Sequence, residues 1–259
     1  LERLLSHFTD ETIGAVSGSQ ILTNYGSTYY TRMESSYRRV YRILRIAESN
    51  VDSTPIFHGD LAAFRSTLVR GERIPEDANA DDSALVFTVR RKGFRAIYDP
   101  GARFYEIEGI KWRDRLDRKV RRARANIHSL IKNFDVLFDA KLEKFGTIIF
   151  PFEFFSYVVS PILALVAMAL FALQVFLFPE PLLIVLITAV LLASVIIAVG
   201  NLQQEKDRIR KSDLIRRGIL FLMSFVEYNL VLFFALLLVL TKGPQPSWER
   251  TERNPISVS

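Results

Sequence analysis

The 259-residue sequence has no cysteine, which excludes disulfides, thiolate zinc sites and a cysteine nucleophile and fits a domain facing the cytosol. Histidine is nearly as scarce: His7, His58 and His128 are too few and too scattered for a histidine-rich metal site. No basic stretch followed by an apolar run opens the chain, so nothing at its start reads as a signal peptide. Internal repeats and low-complexity tracts are absent as well. The text opens on Leu1 in mid-helix (LERLLSHF), which reads as a piece whose N-terminal part is missing.

Positive charge and long apolar runs are what the sequence has. The formal net charge is +6, concentrated in Arg113–Arg124 and Lys206–Arg217, both within reach of apolar segments. Attraction to anionic lipid headgroups accounts for that placement and argues against nucleic acid as a partner. Tyr157–Phe178 carries no charge and has the ~20 residues a spanning helix needs. The break Pro179-Glu180-Pro181 turns the chain into a second run, Leu182–Val199, and a third, Ile219–Leu240, contains only Glu227 as a charge. The predicted arrangement is three transmembrane helices over 157–241, a polar tail over 242–259, and a lipid bilayer as partner. Lys206, Arg208, Arg210, Lys211, Arg216 and Arg217 mark the loop after the second span, and with it the soluble domain, as cytoplasmic. Phe145–Ser156, aromatic and interrupted by Pro151, reads as an interfacial stretch entering the bilayer at a shallow angle, the last part of a basic, amphipathic region over 112–156. Glu227 has two readings, a polar pathway or a helix–helix contact.

Residues 1–111 alternate helix and strand signals, which makes the fold class α/β, followed by the all-α membrane region. Thr12–Leu22 is a strand candidate in which Gly18 admits a close approach of backbone or ligand. Ser27–Ala47 spaces its large residues as a helix, with arginines on the other faces. Leu61–Arg65 looks like a returning strand. A helix follows Asp81-Asp82 and stops at Gly93. Phe94–Tyr98 is a strand that Asp99-Pro100-Gly101 turns into Ala102–Glu106, and Trp112–Leu142 reads as one or two basic helices.

Asp81-Asp82 is the main chemical candidate. A carboxylate at a loop–helix junction in a cleft can take a proton from a hydroxyl. Two adjacent acids before a helix also serve as a cap and first-turn charge. His58 reads equally as a packing residue. The run Arg118–Arg124 could hold a diphosphate or simply contact headgroups.

In order, these pieces resemble the C-terminal two-thirds of membrane-embedded family 2 glycosyltransferases, the inverting GT-A enzymes that include cellulose, chitin, hyaluronan and poly-N-acetylglucosamine synthases. Phe57-His58-Gly59 before Ala63-Phe64-Arg65 resembles the acceptor-side finger loop, which implies acceptor binding by Phe57, His58 and Gly59. Ala80-Asp81-Asp82 resembles the Thr-Glu-Asp element, which implies Asp82 as general base and Asp81 as its acidic neighbour. Lys92-Gly93-Phe94-Arg95 through Glu106 resembles the helix–Gly–strand sequence that follows. Arg121 and Arg122 match the arginines of the Q-x-x-R-W motif, implying diphosphate binding, while its Gln and Trp are absent. The resemblance also implies a nucleotide-sugar donor, a glycan or lipid-linked acceptor, and a divalent cation, Mg or Mn. The cation's D-x-D ligands are expected in the missing N-terminal part, since no D-x-D stands here and this piece supplies no metal ligand. On that ground the piece alone is expected to be inactive. Two other readings stay open: a polyprenyl-phosphate sugar synthase, and a non-catalytic membrane protein with a degenerate transferase domain.

Overall fold

The computed structural model describes residues 1–24, 29–72, 81–106, 112–177, 188 and 211–243. Among them a mixed three-stranded sheet has β1 (Ile13–Leu22) at its centre, with β2 (Ala62–Phe64) antiparallel on one side and β3 (Arg95–Glu106) parallel on the other. Alternation along β1 separates its faces. Ala15 packs with Phe57, Leu68, Val86, Val89 and Ala96 on one side, and Val16 packs with Leu4, Ile97 and Ala102 on the other.

The turn expected at Asp99-Pro100-Gly101 is a bulge within one strand. Gly18 pairs with Asp99 and Ser19 with Arg103, so β3 spends extra residues there without leaving the ladder. A bulge tolerates Pro100, which has no N–H to offer, and Asp99 Oδ1 accepts the Gly101 N–H at 2.7 Å. Gly18 faces the bulge. A Cβ there would collide with the Leu61 side chain and lie 2.7 Å from the Ala102 carbonyl oxygen, so a side chain and the bulge backbone both approach closely. The other Asp99 oxygen takes Arg3 Nε at 2.8 Å, which ties down α1 (Glu2–Ser6).

α2 (Tyr29–Val51) crosses behind the sheet, and the short α3 (Ser66–Val69) follows β2. α4 (Asp81–Arg91) ends where Gly93 takes φ +83°, a conformation that suits glycine. It buries Val86 and Val89 against the sheet and turns Phe87 toward Phe145 and Phe150, with ring centroids 6.0 and 5.7 Å away. α5 (Trp112–Lys132) leads through short 3₁₀ turns into a long apolar helix.

That helix takes in the stretch expected to lie at the interface. A π turn at Phe145–Ile149, α6 (Phe150–Phe154), a second π turn at Phe155–Val159 and α7 (Ser160–Leu177) run on without a break. Pro151 does not interrupt it because the wider turn before it relieves the clash and missing donor that proline brings to an α-helix. α8 (Lys211–Lys242) likewise starts earlier than expected, so Lys211, Arg216 and Arg217 lie on a helix and not in a loop. Phe145–Gln174 and Met223–Lys242 are long and apolar enough to cross a membrane. Much of α7's apolar surface is uncovered, including Leu163, Leu170 and Phe176. The expected span Leu182–Val199 lies outside the described residues, apart from Thr188.

Buried charge fastens these helices to the sheet domain. Glu227 of α8 takes the contact role, accepting from Arg115 Nη2 at 2.6 Å with Lys119 Nζ at 3.5 Å. Both cations also reach Glu34 of α2, Lys119 at 2.7 Å. Asp52 just after α2 accepts the Phe145 N–H at 3.0 Å and Arg90 Nη2 at 3.2 Å, capping the start of the long helix. Fully buried Arg45 pairs with Glu153 of α6 at 2.5 Å and Glu48 at 2.9 Å.

Candidate active site

Asp82 stands in the first turn of α4, where its Oδ1 accepts the Ser83 N–H at 2.9 Å. Its other oxygen faces the loop that carries Phe57-His58-Gly59. A Cβ built on Gly59 would lie 3.4 Å from Asp82 Oδ2, so the loop backbone closes directly over the carboxylate. The His58 N–H donates to Ser17 Oγ of β1 at 3.1 Å, and the Thr54 N–H to the Ala96 carbonyl of β3 at 2.8 Å. Sheet and loop together thus hold the carboxylate from one side.

Burial under that loop pushes the Asp82 carboxyl up to about 6, with the Ser83 N–H acting against it and the charge of Asp81 adding to it. A carboxylate with this affinity can accept a proton near neutral pH and release it again. Asp81 is exposed and shares the first turn, where both acids face the positive end of the helix dipole.

The three residues of the loop divide their work. Phe57 is 4% exposed, its ring packed into the sheet's core and against Phe64 at 5.8 Å, so its side chain serves the fold. The His58 ring lies between Tyr41 and Phe104, centroids 5.4 and 6.2 Å away. Burial, then the charges of Arg122, Arg38 and Arg45, push it down to about 3, which leaves a neutral imidazole at pH 7. Gly59 is exposed and is the part of the loop that meets Asp82.

Arg121 and Arg122 lie on α5. Arg122 is exposed, 3.9 Å from Glu106 Oε2. Arg121 is pulled down by partial burial and by the neighbouring charges of Arg122 and Arg118. Arg122 is near enough to His58 for its charge to act on that ring, and with Arg121 and Arg118 it forms a crowded positive surface that suits an anion with several oxygens. Among the described residues no three His, Cys, Asp or Glu side chains cluster as metal ligands.

Sequence reasoning missed Arg45, Glu48 and Glu153. The signal for Glu153 was present: a lone acid in the apolar stretch FPFEFF is the same kind of feature as Glu227 in its own run.

Comparisons with known proteins bear on the family and the fold. A family profile described as "Glycosyl transferase family group 2" matches residues 1–242. The fold is similar to that of the mannosyltransferase PcManGT from Pyrobaculum calidifontis, solved in complex with GDP-Man and Mn2+, with a TM-score of 0.65 at 24% identity. The similarity covers 92% of this chain and 57% of that one, so the chain spans little more than half of that enzyme's length. No curated protein matches the sequence.

Proposed function

Because the chain belongs to the glycosyl transferase family group 2, we propose that it transfers a sugar from a nucleotide-sugar donor, with Asp82 as the general base. The observation that carries this reading is the Asp82 carboxyl held under Gly59 with its proton affinity raised to about 6. In the proposed step an acceptor hydroxyl gives its proton to Asp82 while its oxygen forms a bond to the anomeric carbon. The bond from that carbon to the nucleoside diphosphate breaks, and the diphosphate leaves with the electron pair. One displacement inverts the anomeric centre. Arg121 and Arg122 meet the charge that develops on the leaving group. The mannosyltransferase of similar fold was solved with GDP-Man, which supports a nucleotide sugar as donor, and with Mn2+, which supports a divalent cation. Among the described residues no three candidate ligands cluster for that cation, and no part of this step is drawn from it.

The raised carboxyl favours a hydroxyl acceptor, on a growing polysaccharide or a glycolipid, over a polyprenyl phosphate. A phosphate is already ionised and has no need of a base. The apolar faces of α7 and α8 support insertion in a membrane, with the transferase domain on its cytoplasmic side.

The test is transfer of labelled sugar from a panel of UDP- and GDP-sugars by the full-length protein in membranes, with products split into lipid-extractable and high-mass fractions. Asp82→Asn should lower transfer at least ~100-fold, the scale of a lost general base. Undiminished transfer in that variant would overturn the assignment. Transfer to an isolated polyprenyl phosphate, insensitive to Asp82→Asn, would favour the lipid-phosphate reading.

A further inference from the structure

We propose that Arg45 is a positioning residue for the Asp82 site, through which Glu153 of the apolar helix fixes the loop ending at Gly59. The inference rests on the reading of Asp82 as base, but its structural part stands on geometry alone.

Arg45 is fully buried, and a buried guanidinium is held only where its neighbours need it. One side chain here reaches the apolar helix, the crossing helix and the site loop. Nη2 donates to Glu153 Oε1 at 2.5 Å, Nη1 lies 2.9 Å from Glu48 Oε2, and Nη1 also donates to Thr54 Oγ1 at 3.0 Å. The face of the guanidinium covers the Tyr41 ring, 4.6 Å from its centroid. Tyr41 in turn packs against the His58 ring, which is bonded through its backbone next to Gly59.

Two routes therefore lead from Glu153 to the roof of the site, one through Thr54 and the loop backbone, the other through Tyr41 and His58. The loop between is nearly solid, with Ser53, Thr54, Ile56 and Phe57 all buried. A loop packed in this way transmits a displacement instead of absorbing it. The charged group facing Asp82 is Asp81, with the N–H groups of Ser83 and Gly59, and among the described residues no ion pair holds the carboxylate in place of the loop. Around Arg45 itself stand Glu48, Glu153, Tyr41 and Tyr157.

The experiment follows Asp82 directly. Full-length protein in its membranes is treated with a carbodiimide across a pH series, and modification of Asp82 is read by peptide mass spectrometry, alongside the pH profile of sugar transfer. Glu153→Gln weakens the anchor, Thr54→Val cuts only the arm to the loop, and Glu48→Gln serves as the control of equal shape. In Glu153→Gln and Thr54→Val the labelling midpoint of Asp82 should fall from near 6 toward the ordinary carboxylate value of 3.8, by about one pH unit, as water enters under the loop. Labelling should become several-fold faster, and the acid limb of transfer should move with it. Glu48→Gln should leave both unchanged. An unmoved midpoint in Glu153→Gln and Thr54→Val overturns the proposal. If Glu153→Gln fails to fold, Thr54→Val decides. Absence of transfer by wild type with a shifted midpoint in the variants would sink the transferase reading and leave the relay standing. The converse, transfer lost in Asp82→Asn with an unmoved midpoint, would remove the relay alone.

Discussion

Two glutamates on the same helix, Glu34 and Glu48 of α2, are 4% and 5% exposed and titrate in opposite directions. Burial raises both, yet Lys119, Arg38 and Arg115 surround Glu34 and bring it down to about 2. Glu48 has a share of one cation, Arg45, and a second carboxylate, Glu153, against it, and burial pushes it up to about 9. The first end of α2 therefore holds an ionised glutamate within a salt-bridge cluster joined to α5 and α8. The second holds an Arg45–Glu153 ion pair beside an acid that keeps its proton at neutral pH. Equal burial does not set charge; the balance of neighbouring signs does.

The sharpest way to break that contrast is to remove the scarce cation. Arg45→Ala strands Glu153 and opens a cavity, and should cost about 3–5 kcal/mol of stability, read by denaturant unfolding in mild detergent. The cation-rich end offers no single change of that size, since Glu34 keeps two of its partners when one is lost.

A pH series with the two glutamine variants sharpens the contrast at intermediate size. Glu34, lowered from an ordinary 4.5 to about 2, contributes stability above 4.5 that is lost as pH falls through 2. Glu48, raised from the same 4.5 to about 9, contributes stability that is full below 4.5 and declines as pH rises through 9. Glu34→Gln should flatten the acid limb of the unfolding profile. Glu48→Gln should flatten the neutral-to-alkaline limb and cost under ~1 kcal/mol at pH 5, because glutamine keeps the shape of the neutral acid. A Glu48→Gln variant as damaged as Glu34→Gln would mean that both ends of α2 are ionised alike.

The smallest effect is expected at the surface. Arg91 meets Asp135 at 3.0 Å with both side chains largely in water, so Asp135→Asn should change stability by no more than ~0.5 kcal/mol.

Local pattern carried much of the fold. The short apolar run TIGAVSGSQIL marked β1, and Gly93 marked the end of α4, because a short strand and a left-handed cap are decided by adjacent residues. Asp99-Pro100-Gly101 was misread as a turn because only the long-range parallel pairing of β3 with β1 converts it to a bulge. The candidate base and its loop were legible as motifs, and the fold brought Gly59 and Asp82 together. Arg45 was hidden by its company: Arg38, Arg39 and Arg42 on the same helix read as an outer face, and its partner Glu153 lies 108 residues away.

The π turns at Phe145–Ile149 and Phe155–Val159 bracket Glu153. Each takes up about one residue more than an α turn, so side chains beyond it are rotated by about 100° from where an unbroken helix would aim them. The long helix is in effect three rods whose angular phases are set independently. A residue gained or lost within Phe155–Val159 re-aims the whole outer face of Ser160–Leu177 while Glu153 stays pointed at Arg45.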